Sequence, residues 1–204
     1  MKENSTELKI LEVAEKEFLQ KGYAGARTMQ IAELAGVSHT MLHYYYRTKE
    51  DLFSKVFEEK FHMMTSSLIE AFNQPHVSLL DRIKSGMEQH FDFLAQNPDI
   101  PRFIINEMSS NPKYKDTHAE MMRSVGSAIA GMQDEIDELA DKGAIEKINI
   151  SDLILDIVSM NVFVFIIIPS IQKFIINPLV TQEEFLARRK KENVEVIMRR
   201  LKKM

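Results

Sequence analysis

Apolar residues recur three or four positions apart along most of this chain, a spacing that places them on one face of an α-helix. The pattern predicts an all-α fold of about nine helices. The first helix is expected over residues 4–21 and ends near Gly22, because glycine readily adopts the backbone conformation that terminates a helix. Its apolar stripe consists of Leu8, Leu11, Ala14 and Phe18, backed by Ile10 and Val13.

Residues 28–49 contain two short helical patterns on either side of an Ala-Gly-Val-Ser turn. We expect Thr28 to cap the first helix and Ser38 to cap the second, since both side chains can accept a hydrogen bond from a free backbone N–H. Gly36 gives the turn its backbone freedom. The inward face of the first helix is predicted to consist of Ile31, Ala32, Leu34 and Ala35.

The second short helix begins at His39 and has two faces. The residues predicted to pack inward are Met41, Leu42 and either Tyr45 or Tyr46. The residues predicted to point outward are His39, Thr40, His43 and Tyr44. A polar and aromatic outer face suits the major groove and the phosphates of DNA, so the pair is interpreted as a helix-turn-helix.

This segment resembles the TetR family of transcriptional regulators, in which T-x-x-I-A-x-x-A-G-V-S precedes a short recognition helix and then S/T-K-x-x-L. The matching residues are Thr28, Ile31, Ala32, Ala35, Gly36, Val37, Ser38, Tyr46, Thr48, Lys49 and Leu52. The match covers about a quarter of the chain. The family usually has a small residue where Thr40 stands and a phosphate-contacting tyrosine where His43 stands.

The resemblance implies that Thr28, Ser38, Tyr44, Tyr45 and Lys49 occupy positions that touch DNA. With the nearby cation and the start of the recognition helix, the predicted DNA-binding set is Arg27, Thr28, Ser38, His39, Thr40, His43, Tyr44, Tyr45 and Lys49. The alternative is a plain helical corner in an ordinary bundle. His39 and His43 could also ligate a metal, but no nearby Cys, Asp or Glu completes a tetrahedral set, and no metal or other cofactor is predicted.

Beyond the predicted helix-turn-helix, a helix over 49–73 is expected to join an N-terminal domain, 1–48, to a larger C-terminal helical domain, 49–204. Pro75, Pro98, Pro101 and Pro112 then punctuate the chain. They leave helices near 77–96, 101–109 and 113–141, the last ending before Gly143. Leu153 to Ile168 is apolar nearly all round, and its longest run, 157–168, is shorter than the roughly 20 residues of a membrane span, so we interpret it as a buried helix.

The last helix opens with a capping box, Thr181 to Glu184. It carries an apolar stripe opposite a row of cations, and in the TetR family the last two long helices form a four-helix dimer interface. The resemblance therefore implies a homodimer. The predicted dimer-interface residues are Phe163, Ile167, Leu186, Val194, Ile197 and Leu201.

The middle of the chain is rich in phenylalanine and methionine, which form either a plain core or a pliable apolar pocket. The family precedent of a small-molecule site in this domain supports the pocket and hence an apolar effector. Candidate pocket residues are Met64, His90, Phe91, Phe103, Met108, Met122, Asn161 and Phe165. His90 and Asn161 are either polar anchors for a ligand or core polar groups satisfied by the protein.

Composition narrows the function classes. The net charge is −4, and residues 1–50 carry seven cations and seven acids, so phosphate contacts are expected to be few and well placed. The chain has no cysteine and no apolar signal region at 1–10, which predicts a cytoplasmic protein. His118 and Glu120 form an H-x-E pair, but deaminases with that pair also need cysteines, and no other catalytic motif occurs.

The sequence thus predicts a homodimeric, ligand-responsive regulator, most simply a repressor, that binds a double-stranded DNA operator and has no enzymatic or membrane role. Two alternatives remain open at this point. One is a constitutive DNA-binding protein without an effector, and the other is a helical ligand carrier that has lost DNA binding.

Overall fold

A computed structural model of the chain describes residues 2–74, 76–110, 114–175 and 180–203, and in these ranges every regular element is an α-helix. The all-α prediction is confirmed. Pro75, Pro112 and the side chains of His118 and Glu120, named above, lie outside the described residues. The helices are α1 Lys2–Gly25, α2 Thr28–Leu34, α3 His39–Tyr45, α4 Lys49–Phe72, α5 Leu79–Gln96, α6 Asp99–Ser110, α7 Tyr114–Ile129, α8 Gly131–Asp141, α9 Ile150–Ile175 and α10 Gln182–Leu201.

Ten helices are described where about nine were predicted, because the long pattern over 113–141 is divided at Ala130. Ala130 keeps right-handed helical angles, but its carbonyl accepts from Gln133 N at 3.1 Å, a tighter turn than an α-helix makes. The predicted end of the first helix at Gly22 is matched by a kink there, with φ 65° and ψ 179°. The predicted capping box of α10 is confirmed, since Thr181 and Glu184 satisfy one another's backbone N–H groups.

The chain forms two compact units. The N-terminal unit comprises Met1–Met63 and Phe103–Tyr114, and the C-terminal unit comprises Met64–Arg102 and Lys115–Met204. Helix α4, which we expected to join two domains, contributes residues to both units. The functional boundary expected at residue 48 remains a prediction.

An aromatic cluster forms the core of the N-terminal unit. The Phe18 and Phe53 rings meet edge to face with centroids 4.9 Å apart, and Phe103 packs on Phe53 and Phe57 at 5.7 and 6.0 Å. Aromatic pairs of this kind add to the stabilisation that burial itself supplies. Ile31 and Leu42 are also buried, so the inner faces of α2 and α3 are fixed in the core of this unit.

Several residues predicted to face inward lie at the surface instead. Leu34 is 58% exposed, because a helix as short as α2 buries only Ile31 and Ala32. Met41 is exposed for the same reason: α3 buries Leu42 alone, and Tyr46 at its end takes the second inner place. In α1 the buried stripe runs through Ile10, Ala14 and Phe18, so Leu8 falls on the outer face.

Helix α9 is the central element of the C-terminal unit. Its Leu153 and Ile157 are buried in a core that also contains Met87 from α5 and Ile197 from α10. The segment Ile150–Ser170 has the length and composition to cross a membrane, contrary to our expectation that the apolar run was too short. Core helices of soluble proteins also meet this criterion, and α9 packs against α5 and α10 in the core of its own unit.

The approach of α5 to the end of α4 depends on a glycine. A Cβ added at Gly86 would lie 2.9 Å from the carbonyl oxygen of Ala71 and 3.0 Å from the ring of Phe72. Gly86→Ala is therefore expected to lower the free energy of unfolding by about 1–3 kcal/mol through overpacking. Gly126→Ala in α7, where an added Cβ meets nothing within 4 Å, is expected to be neutral or stabilising. Urea unfolding of both variants checks this, and equal effects would contradict it.

Candidate DNA-binding surface and apolar cavity

The turn between α2 and α3 is built from a glycine and a serine. Gly36 has φ 68°, a conformation that glycine adopts without strain, and Val37 N donates to Ala32 O at 3.0 Å. The Ser38 hydroxyl oxygen then accepts from Met41 N at 3.1 Å, so Ser38 caps α3 and the helix begins at His39. Both features confirm the prediction for this turn.

The predicted cap at Thr28 is wrong. Helix α2 begins at Thr28 itself, and the preceding residue, Arg27, makes no side-chain capping bond. The Thr28 hydroxyl lies instead 3.1 Å from Nε2 of His39 on the neighbouring helix. This hydrogen bond connects the start of α2 to the start of α3 at the protein surface.

His39 and His43 form a pair on the outer face of α3. Their rings meet edge to face with centroids 4.3 Å apart and with Nε2 atoms 3.2 Å apart. His43 Nδ1 donates to the carbonyl oxygen of Arg47 at 3.1 Å. In the described part of the chain no group of three or more His, Cys, Asp and Glu side chains converges to hold a metal ion. The hydrogen bonds to Thr28 and to the Arg47 carbonyl hold the two rings in a fixed orientation.

The three tyrosines at the end of α3 have different environments. Tyr44 is exposed and meets Tyr45 edge to face at 5.4 Å. Tyr46 is buried with its hydroxyl donating to Glu7 at 3.4 Å, and burial, aided by Glu7, raises its pKa to about 12. Tyr44 is therefore available to a partner, Tyr45 is half-buried, and Tyr46 belongs to the core.

Helix α4 begins beside this surface with a reciprocal cap. Asp51 N donates to the Thr48 hydroxyl at 3.0 Å, and Thr48 N donates to the Asp51 carboxylate at 3.1 Å. The ammonium of Lys49 lies 4.6 Å from the centroid of the Tyr23 ring, a cation–π contact that orients its charge. Lys49 is half-buried and presents the first cation of α4.

All nine predicted DNA-binding residues are exposed or half-buried. Arg27 directly precedes α2, and the other eight lie in α2, in the turn, in α3 and at the start of α4. Two further side chains, Met29 and Leu34, are exposed on α2 of the same unit but are absent from the predicted DNA-binding set. Exposed apolar side chains near polar ones suit contact with thymine methyl groups or sugars. The signal that could have identified them is the shortness of α2.

The C-terminal unit contains an apolar cavity of 250 Å³. Met64, His90 and Met122, all predicted pocket residues, line it. The described lining residues include no Asp, Glu, Lys or Arg. The remaining lining residues are Thr65, Leu68, Val125, Gly126, Ile129, Ser151, Ile154, Leu155, Val158 and Val162.

The other five predicted pocket residues do not line this cavity. Phe103 and Met108 belong to the N-terminal unit, where Phe103 packs in the aromatic core. Phe91 and Phe165 are buried against one another at 5.2 Å in the C-terminal unit. Asn161 is buried and hydrogen-bonded to His90. Most of the phenylalanine and methionine residues that suggested a pocket are core residues. The sequence does not distinguish core residues from cavity-lining residues, whereas the fold does.

A buried chain of polar groups runs from α10 to the cavity wall. Arg189 donates to Oδ1 of Asn193 at 2.8 Å, and Nδ2 of Asn193 donates to Oδ1 of Asn161 at 2.9 Å. Nδ2 of Asn161 lies 3.3 Å from Nδ1 of His90. Burial lowers the pKa of His90 to about 4, so the ring is neutral near pH 7. Asn193 was not among the predicted site residues, although a polar residue beside Val194 on the inner stripe of α10 was a usable signal.

The outer faces of α9 and α10 carry exposed apolar side chains. Phe163 is 56% exposed and, with Ile167 and Arg188, lines a groove beside Phe185. Of the predicted dimer residues, Ile167 and Leu186 are half-buried. Val194, Ile197 and Leu201 require correction: Ile197 and Leu201 are each 1% exposed, and all three pack in the core of their own unit. Their stripe faces α5 and α9, so it is not free to contact a second chain.

Comparisons with known proteins cover both units. Residues 10–56 match the family of bacterial regulatory proteins, tetR family, and residues 80–197 match the tetracyclin repressor-like C-terminal domain. The HTH-type transcriptional repressor SCO4008 of Streptomyces coelicolor is 28% identical over 131 residues, which are 64% of either chain. The HTH-type transcriptional regulator RutR of Escherichia coli is 35% identical over 102 residues, or 48% of this chain and 46% of that protein.

The chain thus spans about half to two thirds of the length of these curated relatives. Among solved structures, a regulatory protein of the tetR family from Rhodococcus RHA1 has the same fold. Its TM-score is 0.72 at 22% identity, with 98% of each chain covered.

Proposed function

Because this chain belongs to the tetR family of bacterial regulatory proteins, we propose that it is a DNA-binding transcriptional repressor, active as a homodimer and released by a small apolar effector. It regulates transcription and is not an enzyme. The Streptomyces relative is named a transcriptional repressor, which supports repression rather than activation as the role of this chain. A cytoplasmic location follows from this role.

The observation that carries the proposal is the capped helix α3 and its exposed outer face. His39, Thr40 and Tyr44 project from a helix whose start is fixed by Ser38 and whose inner side is anchored by Leu42. A recognition helix reads base edges with the residues of its first turns, so His39 and Thr40 are proposed to contact bases. Arg27, Thr28, Ser38, His43, Tyr44, Tyr45 and Lys49 are proposed to contact the backbone or bases around them.

The contribution of Lys49 can be measured through salt dependence. Removing one phosphate contact lowers the slope of log K against log salt by about 1 per site and weakens all DNA sequences alike. Lys49→Met is therefore expected to lower operator affinity and to flatten the slope. Lys55→Met, which removes an exposed cation from the same helix, is the matched control and should change neither. Fluorescence anisotropy at several salt concentrations provides both quantities. Identical slopes for the two variants would contradict the assignment of Lys49.

The proposed dimer places two α3 helices on one operator. Helix-turn-helix dimers bind half-sites about 34–36 Å apart, so the operator should be pseudo-palindromic. We propose that Phe163, Ile167 and Leu186 on α9 and α10 contact the second chain, with Leu155 and Val196 as further exposed apolar residues of these helices. The partner's own α9 and α10 would cover these side chains and complete a four-helix interface.

The effector is proposed to bind in the apolar cavity and to favour a dimer geometry in which the two α3 helices no longer fit one operator. To move a regulator from almost fully bound to almost fully released, an effector must prefer the released state by roughly 10⁴-fold. A ligand that prefers the state released from DNA should raise the melting temperature of the protein by mass action and lower its affinity for the operator. A ligand that raises the melting temperature without changing operator affinity would instead support a carrier role.

A further inference from the structure

The wall of the apolar cavity contains one buried polar side chain, His90, with a ring nitrogen for which the described residues provide no hydrogen-bond partner. Three polar side chains line it: Ser151 is exposed, Thr65 has an interaction partner within the protein, and His90 is 1% exposed. Among the described residues the one hydrogen-bond partner of the His90 ring is Asn161, through Nδ1. The other ring nitrogen, Nε2, has no hydrogen-bond partner among the described residues.

The direction of the hydrogen bonds determines which ring nitrogen carries the proton. Arginine only donates, so Oδ1 of Asn193 accepts from Arg189 and the Asn193 amide nitrogen must point the other way. That nitrogen donates to Met160 O at 3.1 Å and to Oδ1 of Asn161. The Asn161 nitrogen in turn donates to Met87 O at 3.1 Å, a carbonyl that can only accept. The orientations of the Asn193 and Asn161 side-chain amides are thereby each fixed by at least two hydrogen bonds.

Because Nδ2 of Asn161 is a donor, Nδ1 of His90 must be the acceptor. A neutral imidazole has one donor and one acceptor nitrogen, so the proton lies on Nε2. The low pKa of His90 agrees with a ring that stays neutral. No described residue accepts from this N–H, so a ligand oxygen in the cavity can supply the missing hydrogen bond.

We propose that the apolar cavity binds an uncharged, largely apolar molecule with one hydrogen-bond acceptor, such as a ketone or ester oxygen, that accepts from Nε2 of His90. This inference rests on the proposed function, since it specifies the chemistry of the effector. A cavity of about 150 Å³ holds benzene, so 250 Å³ suits a ligand of roughly ten non-hydrogen atoms. The described lining offers no cation, and a carboxylate would be buried without a counter-charge.

The test uses three compounds of nearly identical shape: acetophenone has a carbonyl acceptor, α-methylstyrene has a methylene group in its place, and benzoate has a charge. Their dissociation constants for the full chain are measured by calorimetry or by competition with a fluorescent apolar dye. In His90→Phe, which keeps a ring but lacks the donor, the affinity for acetophenone relative to α-methylstyrene should fall about fivefold. The ratio cancels differences in hydrophobicity and any general loosening of the fold.

His62→Phe, the same replacement at an exposed histidine that does not line the cavity, is the matched control and should leave the ratio unchanged. Benzoate should bind more weakly than acetophenone to the unaltered protein at pH 7. An unchanged ratio in His90→Phe, tighter binding of benzoate, or no binding of acetophenone would each overturn the proposal.

The tautomer gives a second readout that requires no variant. Long-range ¹H–¹⁵N NMR correlations of the unaltered protein should report the proton of His90 on Nε2, and a proton on Nδ1 would overturn the proposal. Failure here is distinguishable from failure of the proposed function. If acetophenone binds through His90 but does not weaken operator binding, the ligand chemistry stands and effector release fails. If operator binding is intact and acetophenone does not bind, the ligand chemistry fails alone.

Discussion

Replacing Phe163 with glutamate is expected to convert the protein into a monomer and to abolish tight operator binding. Phe163 is 56% exposed on α9 and lines a groove together with Ile167 and Arg188. In a dimer the new carboxylate would lose its contact with water, and desolvating a charge in a mainly apolar contact costs several kcal/mol even with a cation such as Arg188 nearby. Each DNA-binding surface would then act alone. Losing the second site should lower operator affinity by about 10²–10⁴-fold, because linkage of two sites raises the avidity by that factor.

Val77→Glu is the matched control for this change, since it also replaces an exposed apolar side chain of the C-terminal unit with a charge but lies before α5. Sedimentation velocity gives the oligomeric state of both variants, and circular dichroism verifies that each remains folded. A folded Phe163→Glu monomer that still binds the operator tightly would contradict the dimer proposal. Ile197 is unsuitable for this test, because it is buried in its own unit and a charge there would unfold the chain.

Acidification is expected to destabilise the C-terminal unit through His90. Burial lowers the pKa of this ring from 6.5 to about 4, so the folded state favours the neutral form. Between these two values the unfolded chain binds a proton that the folded chain does not. The contribution of His90 to the free energy of unfolding is therefore fully present above pH 6.5 and is lost as the pH falls toward 4. The loss amounts to roughly 3 kcal/mol in the free energy of unfolding.

The measurement is urea unfolding followed by circular dichroism between pH 4 and pH 7. His90→Phe should remove this part of the pH dependence, since the replacement has no titrating group. His62→Phe, an exposed histidine on α4, is the matched control and should retain it. An equal pH dependence in the unaltered protein and in His90→Phe would show that His90 is not the group responsible.

Local sequence signals predicted much of the fold because they depend on neighbouring residues. The cap at Ser38, the start of α3 at His39 and the capping box from Thr181 to Glu184 each need a particular side chain three residues from its partner. Helical spacing likewise placed α4 and α9. These features do not require knowledge of how distant segments pack.

Features that depend on tertiary packing were not predictable in the same way. The stripe of Ile197 and Leu201 has the pattern of any buried helix face, and spacing cannot tell whether the covering surface is α9 of the same chain or a partner. Phe103 is as apolar as Met122, yet the two lie in different units. The role of Asn193 depends on Asn161, which is distant in sequence.

The central claim is that this protein recognises a particular DNA sequence. The most direct test is a titration of the purified protein with the promoter duplex of its own gene and with a shuffled duplex of equal length, each at two salt concentrations. We predict tight, salt-dependent binding to the promoter and at least about 10³-fold weaker binding to the shuffled duplex. Equal and weak binding to both duplexes would contradict the account, and would leave a helical ligand-binding protein without a DNA-reading function.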